Sequence, residues 1–327
     1  MAHLMTPFDQ LVVARLGVTA TDARRLMLDA GVEKLPVVDD DHRLIGLITL
    51  RDIDAGEQWP KATRDSRGRL LVAAAVGVRG DYEERTDGLV QAGVDALVLD
   101  IAHGHAEHAL TVTKKLKARY PGVDVVAGNV VTPEAVRDLA EAGVDGVKCG
   151  VGPGSACTTR TVAGTGVPQW TAINDCFDEA QKLDLPICAD GGIREPGDVA
   201  KAIGVGGSTV MIGGMFAGRE ESPGQRVRRN GRLYKVYRGM ASSAAADARL
   251  SLEGRRGELE PYIPEGVEME FELKGPVADA VQELVGGLRS AMSYSNALTI
   301  PEFWVNAKFV QITQAGRRES EPIQGDR

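Results

Sequence analysis

The stretch DVVAGNVVTPEAVRDLAEAGVDGVKCG, residues 124–150, holds one full period of the pattern that decides the fold. Asp124 to Ala127 is an apolar run of strand length that ends on Gly128-Asn129. Pro133 to Ala142 carries apolar residues at helical spacing, and Ala142-Gly143-Val144-Asp145 leads into the next apolar run, Gly146 to Gly150. Glycine just past a helix end lets the chain turn, and the apolar residue after it re-enters the sheet. Strands that are apolar throughout, separated by helices, belong to a parallel sheet covered on both faces.

The same grammar extends to both sides. Apolar runs recur at Leu70 to Val76, Ala96 to Ile101, Pro186 to Ala189 and Thr209 to Ile212, with helical stretches such as Ala106 to Ala118 between them. Ala92 to Asp95 repeats Ala-Gly-Val-Asp, and Pro121-Gly122-Val123-Asp124 is a variant. The even spacing predicts an α/β chain of the (β/α)8 TIM-barrel class, in which the chemistry sits on loops after the strands. Polar residues fall on those loops: Asp100 to His105, Gly128-Asn129, the segment around Cys157, Asp190-Gly191-Gly192 and Gly213-Gly214. An open flavodoxin-like sheet, the alternative, would gather its ligand groups at one switch point. The runs number six where a closed barrel needs eight. The expectation is therefore a barrel lacking its first two strands, the C-terminal part of a longer protein, whose open edges would leave this chain inactive or poorly folded alone.

Before the barrel, residues 1–57 read as a small αβ unit. Thr19 or Thr21 caps a helix through Ala23 to Ala30, and Lys34 to Asp39 and Leu44 to Thr49 are strands joined by the turn Asp39-Asp40-Asp41-His42. Leu50-Arg51-Asp52-Ile53 opens a second helix. This unit resembles one cystathionine β-synthase (CBS) motif, the second of a pair. Such pairs bind adenine or guanine nucleotides, whereas a single motif reads equally as an appendage that binds nothing. Residues 58–69 are polar and turn-rich and form the linker, leaving 70–327 for the barrel.

Composition narrows the function. A net charge of −8 offers no basic face for nucleic acid, and the Arg-rich piece Arg226 to Arg232 reads as solvated helix or loop. No apolar run approaches the roughly 20 residues of a membrane span. Cys149, Cys157, Cys176 and Cys188 lack CxxC spacing, which suits reduced thiols and a cytoplasmic protein.

The loop Gly152-Pro153-Gly154-Ser155-Ala156-Cys157-Thr158-Thr159-Arg160 combines two glycines, several hydroxyls and one strong nucleophile. Alone, Cys157 reads as readily as a buried thiol in a βα turn. Gly192 and the pair Gly213-Gly214 on the two following loops have the character of a phosphate site, with Asp190 placed to accept from ribose hydroxyls. Tyr234 to Met240 offers phenol and amide donors to a phosphate, or is a strand of a surface hairpin. His103 and His105 lack a third soft ligand nearby in sequence and read as a polar rim rather than a metal site. Carbonyls around Gly150 to Gly154 suit a large monovalent cation.

Together these segments resemble the IMP dehydrogenase/GMP reductase family, from about Leu70 to Ser320. The most specific are the Cys157 loop, Asp190-Gly191-Gly192-Ile193-Arg194, Glu221-Ser222-Pro223-Gly224 and Tyr237-Arg238-Gly239-Met240. The resemblance implies that Cys157 attacks C2 of a purine nucleoside monophosphate, GMP or IMP, while Thr159 and Glu265 relay protons. It implies that Ser155, Gly192, Gly213, Gly214, Tyr237, Gly239 and Met240 bind the nucleotide with Asp190, and that Asp100 and Asn129 meet the nicotinamide riboside of NADPH or NAD. K⁺ would bind the carbonyls of Gly152, Gly154 and Cys157, with Glu319-Ser320 from a neighbouring subunit of a homotetramer. Dehydrogenases of the family use an Arg-Tyr pair on a flap to activate water. Between Ala241 and Ile263 the candidates are Arg249-Leu250 and Arg255-Arg256-Gly257, and no Arg precedes a Tyr. That favours NADPH-dependent GMP reduction, with NAD-dependent IMP oxidation as the alternative, to which Ala102-His103-Gly104-His105 is closer. A purine-sensing regulator without catalysis is a third reading, opposed by the joint presence of Cys157, Thr159 and Glu265.

Overall fold

The structure, a computed structural model, describes residues 5–252, 254 and 263–320. The chain divides into two compact units, Met1–Leu71 and Val72–Arg327. In the first, β1 (Ala14–Arg15) pairs parallel with β2 (Lys34–Val38), which pairs antiparallel with β3 (Leu44–Thr49). Helix α1 (Ala20–Ala30) starts where the Thr19 hydroxyl accepts the Asp22 amide, and α2 (Leu50–Gln58) starts on a reciprocal Thr49–Asp52 capping box. Ala14, Ala23, Met27, Leu35 and Ile53 form its core.

The second unit is built on the repeat read above. Strands β4 (Ala73–Val76), β5 (Ala96–Asp100), β6 (Asp124–Val130), β7 (Gly146–Cys149), β8 (Ile187–Asp190) and β9 (Thr209–Met211) form one sheet in that order, every neighbouring pair parallel. Helices α3 (Tyr82–Gln91), α4 (Glu107–Arg119), α5 (Pro133–Glu141), the one-turn α6 (Thr159–Val162), α7 (Gln169–Lys182) and α8 (Pro196–Gly204) fall between them. This is an α/β fold with a parallel half-barrel wall. Strand order never reverses, so the switch point of the flavodoxin-like alternative does not exist here. The core lies between sheet and helices, with Leu97, Val125, Leu139, Val147, Ile173 and Ile187 fully buried. The first strand begins at Ala73 rather than Leu70, because pairing with β5 starts at Ala73 opposite Ala96, whereas Leu70 bridges instead to Arg64.

After β9 comes the short helix α9 (Gly214–Ala217), then an antiparallel sheet of β10 (Arg226–Arg229), β11 (Arg232–Arg238) and β12 (Glu268–Glu272). The Arg-rich piece is thus a strand hairpin, not helix or free loop. Two of its four arginines are matched across the sheet, Arg229 to Glu270 at 3.0 Å and Arg232 to Glu272 at 3.3 Å. Buried Lys235 on β11 donates to the carbonyls of Glu220, at 3.1 Å, and Ser222. The Glu221 carboxylate accepts the amide of Val277, the first residue of a long helix. The Glu221 to Gly224 motif therefore locks the hairpin to the half-barrel. Helices α10 (Ser243–Leu252), α11 (Val277–Tyr294), α12 (Ile300–Asn306) and α13 (Gln314–Glu319) complete the described chain. Of the flap candidates, Arg249 and Leu250 lie on α10, and Arg255, Arg256 and Gly257 lie outside the described residues.

Candidate active site

Three segments distant in sequence are laced together around Cys157. The Thr158 amide donates to the Glu265 carbonyl at 2.9 Å, the Val267 amide to Ala156 at 3.0 Å, and the Gly239 amide to Val267 at 3.0 Å. On this backbone frame the Cys157 thiol lies 3.2 Å from the Thr159 hydroxyl, which donates to Glu265 Oε2 at 2.8 Å. A nucleophile, a hydroxyl and a carboxylate in continuous hydrogen-bond reach can deprotonate the thiol and return a proton to a leaving group. Thr159 and Glu265 are 106 residues apart, so the fold alone makes this chain.

Beside it, two hydroxyls close over the Gly213-Gly214 turn. A Cβ on Gly213 would stand 2.7 Å from the Tyr237 hydroxyl, and one on Gly214 2.8 Å from Ser155 Oγ. Only glycine leaves room for these hydroxyls and exposes backbone amides next to them, the chemistry of a phosphate cradle. Gly239 packs on the Ala156 carbonyl, and Gly192 on Pro153 of the thiol loop. Burial, and then the nearby charge of Asp190, push the Tyr237 phenol up, so it stays protonated as a donor at neutral pH. Met240 is not drawn in; its side chain is 88% exposed.

Asp190, Asn129 and Asp100 converge on a residue that the sequence reading passed over. Lys148, inside the apolar run of β7, is 2% exposed and pairs with Asp100 at 2.9 Å and with Asp190. Burial works to lower its pKa, but the two carboxylates outweigh burial and the net shift is upward, keeping it charged. Asn129 Nδ2 donates to Asp190 Oδ2 at 3.0 Å and to the Gly150 carbonyl at 2.6 Å. Gln169, also passed over, donates to the carbonyls of Cys149, at 3.0 Å, and Asp190, at 3.2 Å. Asn129 Oδ1 and Gln169 Oε1 are buried without a partner among the described residues. An orphaned amide acceptor beside the half-exposed Asp100 carboxylate fits a ligand rich in hydroxyl or amide donors, as a nicotinamide riboside is. The one available clue was a lone lysine in an otherwise apolar strand.

The cation reading rests on neutral oxygens alone. Gly154 accepts the Cys157 amide at 3.1 Å, leaving it a second lone pair, and no cluster of three His, Cys, Asp or Glu suits a metal among the described residues. This donor set fits a large monovalent ion rather than a transition metal. Glu319 ends α13, and the Ser320 hydroxyl donates to Gly316 at 3.2 Å. His105 is engaged by Asp138 at 2.6 Å, with its ring edge-on to His103.

A parallel half-barrel whose strand-end loops carry a thiol and a glycine cradle, with a hydroxyl and a carboxylate in hydrogen-bond reach of the thiol, defines a TIM-barrel-like α/β scaffold with a candidate active site. The model of the IMP dehydrogenase / GMP reductase domain matches residues 12–323, and the chain belongs to that family. It is 50% identical over 314 residues to the inosine-5'-monophosphate dehydrogenase of Aquifex aeolicus, covering 95% of this chain and 64% of that protein. The enzyme of the same name from Chlorobaculum tepidum is 48% identical over 317 residues, with 95% and 64% coverage. The crystal structure of GMP reductase from Trypanosoma brucei in complex with guanosine 5'-monophosphate superposes with a TM-score of 0.91 at 44% identity, covering 99% of this chain and 67% of that one. The chain thus spans 64% of the length of these curated relatives.

Proposed function

We propose that this chain carries the catalytic machinery of a purine nucleotide oxidoreductase that reduces GMP to IMP and ammonia with NADPH. The observation that carries the reading is the Cys157–Thr159–Glu265 chain beside the Ser155, Tyr237 and Gly213-Gly214 cradle. The cradle would hold the 5'-phosphate and Asp190 the ribose hydroxyls, setting purine C2 over the thiol. Cys157 would give its proton to the relay and form a C–S bond at C2. The relay would protonate the 2-amino nitrogen, which leaves as ammonia. Bound NADPH would supply a hydride to C2, and the C–S bond would then break to release IMP and restore the thiolate. Asp100 and Asn129 would orient the nicotinamide riboside.

The choice of ammonia over water rests on the sequence from Ala241 to Ile263, where no Arg precedes a Tyr to activate water. Likeness to a solved GMP reductase over almost the whole chain supports it. The second reading, NAD-dependent oxidation of IMP, is favoured by relatives named as inosine-5'-monophosphate dehydrogenases at up to 50% identity. Around this centre we place K⁺ on the carbonyls of Gly152, Gly154 and Cys157, the first unit as a CBS motif, and the remaining strands of a full (β/α)8 barrel upstream. The working assembly would be a homotetramer in the cytoplasm; among the described residues no helix is long and apolar enough to cross a membrane. The test follows nicotinamide absorbance. NADPH should be oxidised with GMP, whereas NAD reduction with IMP and no turnover of GMP would reverse the assignment. Nucleotide binding without either reaction would leave the regulator.

A further inference from the structure

Lys148 stands in the wall between the two halves of the site. Across the sheet, Asp100 lies opposite Gly128, Gly128 opposite Lys148, and Lys148 opposite Cys188, two residues before Asp190. Residues in register, or two apart on a strand, share a face, so the lysine and both carboxylates emerge on the same side. Gly128 keeps the lane open, since a Cβ there would stand 2.6 Å from Lys148 Cβ. The ammonium meets Asp190 on Oδ2, the oxygen that also accepts from Asn129. Among the described residues both side-chain donors sit on that oxygen, and Oδ1 is left to face a ligand. One ammonium in a buried side chain thus serves two carboxylates that would otherwise confront each other in a partly dry site, where unbalanced like charge is costly.

We propose that Lys148 is a positioning residue, the common counter-ion of Asp100 and Asp190, which holds both carboxylates turned toward different ligands and so joins the nucleotide and dinucleotide halves of the site. The inference rests on the nucleotide reading above. A lysine that merely filled space would be replaced without loss by methionine, and removing a neighbouring charge would then change nothing.

The test is calorimetric titration of GMP into the full chain as wild type, Lys148→Met, Asp100→Asn and the double variant. Lys148→Met should weaken GMP binding at least tenfold with an unchanged circular dichroism spectrum. Adding Asp100→Asn should recover at least threefold, because it removes the repulsion acting on Asp190. Wild-type affinity in Lys148→Met, or a loss that Asp100→Asn does not relieve, overturns the proposal. If Lys148→Met does not fold, the double variant decides: folding supports charge balance, and failure to fold assigns Lys148 to packing and overturns it. A wild-type chain that does not bind GMP removes the nucleotide reading and this inference together. Binding by wild type that Lys148→Met leaves intact removes this inference alone.

Discussion

Replacing Thr159 by valine removes one hydroxyl and keeps the shape of the side chain. That hydroxyl is 3.2 Å from the Cys157 sulfur and donates to Glu265 at 2.8 Å, so its loss breaks the relay at its midpoint. The loop should survive, because the amides of Thr158 and Val267 still hold the Glu265 and Ala156 carbonyls. Loss of the side-chain bonds should cost about 1 kcal/mol of stability. Positioned proton transfer contributes ~10²-fold to 10⁴-fold in rate, which corresponds to about 2.7–5.5 kcal/mol of barrier. Steady-state assays of NADPH oxidation with GMP should therefore show kcat reduced within that range and KM for GMP changed less than about threefold, since the phosphate and ribose contacts are untouched. Glu265→Gln keeps a hydrogen-bonding side chain but loses basicity, and should fall in the same range. The decisive feature is the double variant. Two members of one relay act as a unit, so Thr159→Val with Glu265→Gln should be about as slow as either alone. Multiplicative losses, or a Thr159→Val enzyme near wild-type rate, would refute the relay.

Gly214→Ala would place a methyl 2.8 Å from Ser155 Oγ. A forced shift of about 1–3 kcal/mol should weaken nucleotide affinity roughly fivefold to 150-fold, measured by titration, and lower the melting temperature by no more than about ten degrees. Native protein treated with a thiol reagent at neutral pH should lose one thiol quickly, Cys157. A hydrogen bond to Cys176, and then burial, push the Cys149 thiol well up, and burial pushes Cys188 up, so these remain unreactive. Modification that begins at Cys188 would contradict this. Because the folded state keeps protons on these thiols that the unfolded chain releases, stability should decline as pH rises past the ordinary cysteine value of about 8.5 and hold below it. Chemical denaturation across that range checks the sign.

Much of the scaffold was legible because its periodicity is local. The bounds of β3 were read as found, and β6 only extends past its expected end at Ala127, since short apolar runs between turn signals mark strand length locally. Cys157, Ser155 and the glycine pair stood out because nucleophile, hydroxyls and glycines are crowded into short loops. Lys148 and Gln169 did not, because their meaning lies in partners 20 or more residues away, which sheet register brings to Lys148 and the docking of α7 brings to Gln169. The Arg-rich hairpin was misread for a similar reason. Its arginines are solvated as expected, but what makes the segment strand is the pairing of β10 with β11 and of β11 with β12, and β12 lies some 40 positions further on. Met240, quoted within a strong motif, is exposed, and nothing local in sequence distinguishes it from Gly239, which packs on the thiol loop.

The covalent step is the centre of the account, and mass spectrometry of the intact chain reads it directly. Acid quenching during turnover of GMP with NADPH should leave a fraction of the protein heavier by the mass of GMP less ammonia, with the added mass on the peptide that holds Cys157 and absent from Cys157→Ala. Turnover without any such adduct, or an adduct that persists in Cys157→Ala, would contradict it.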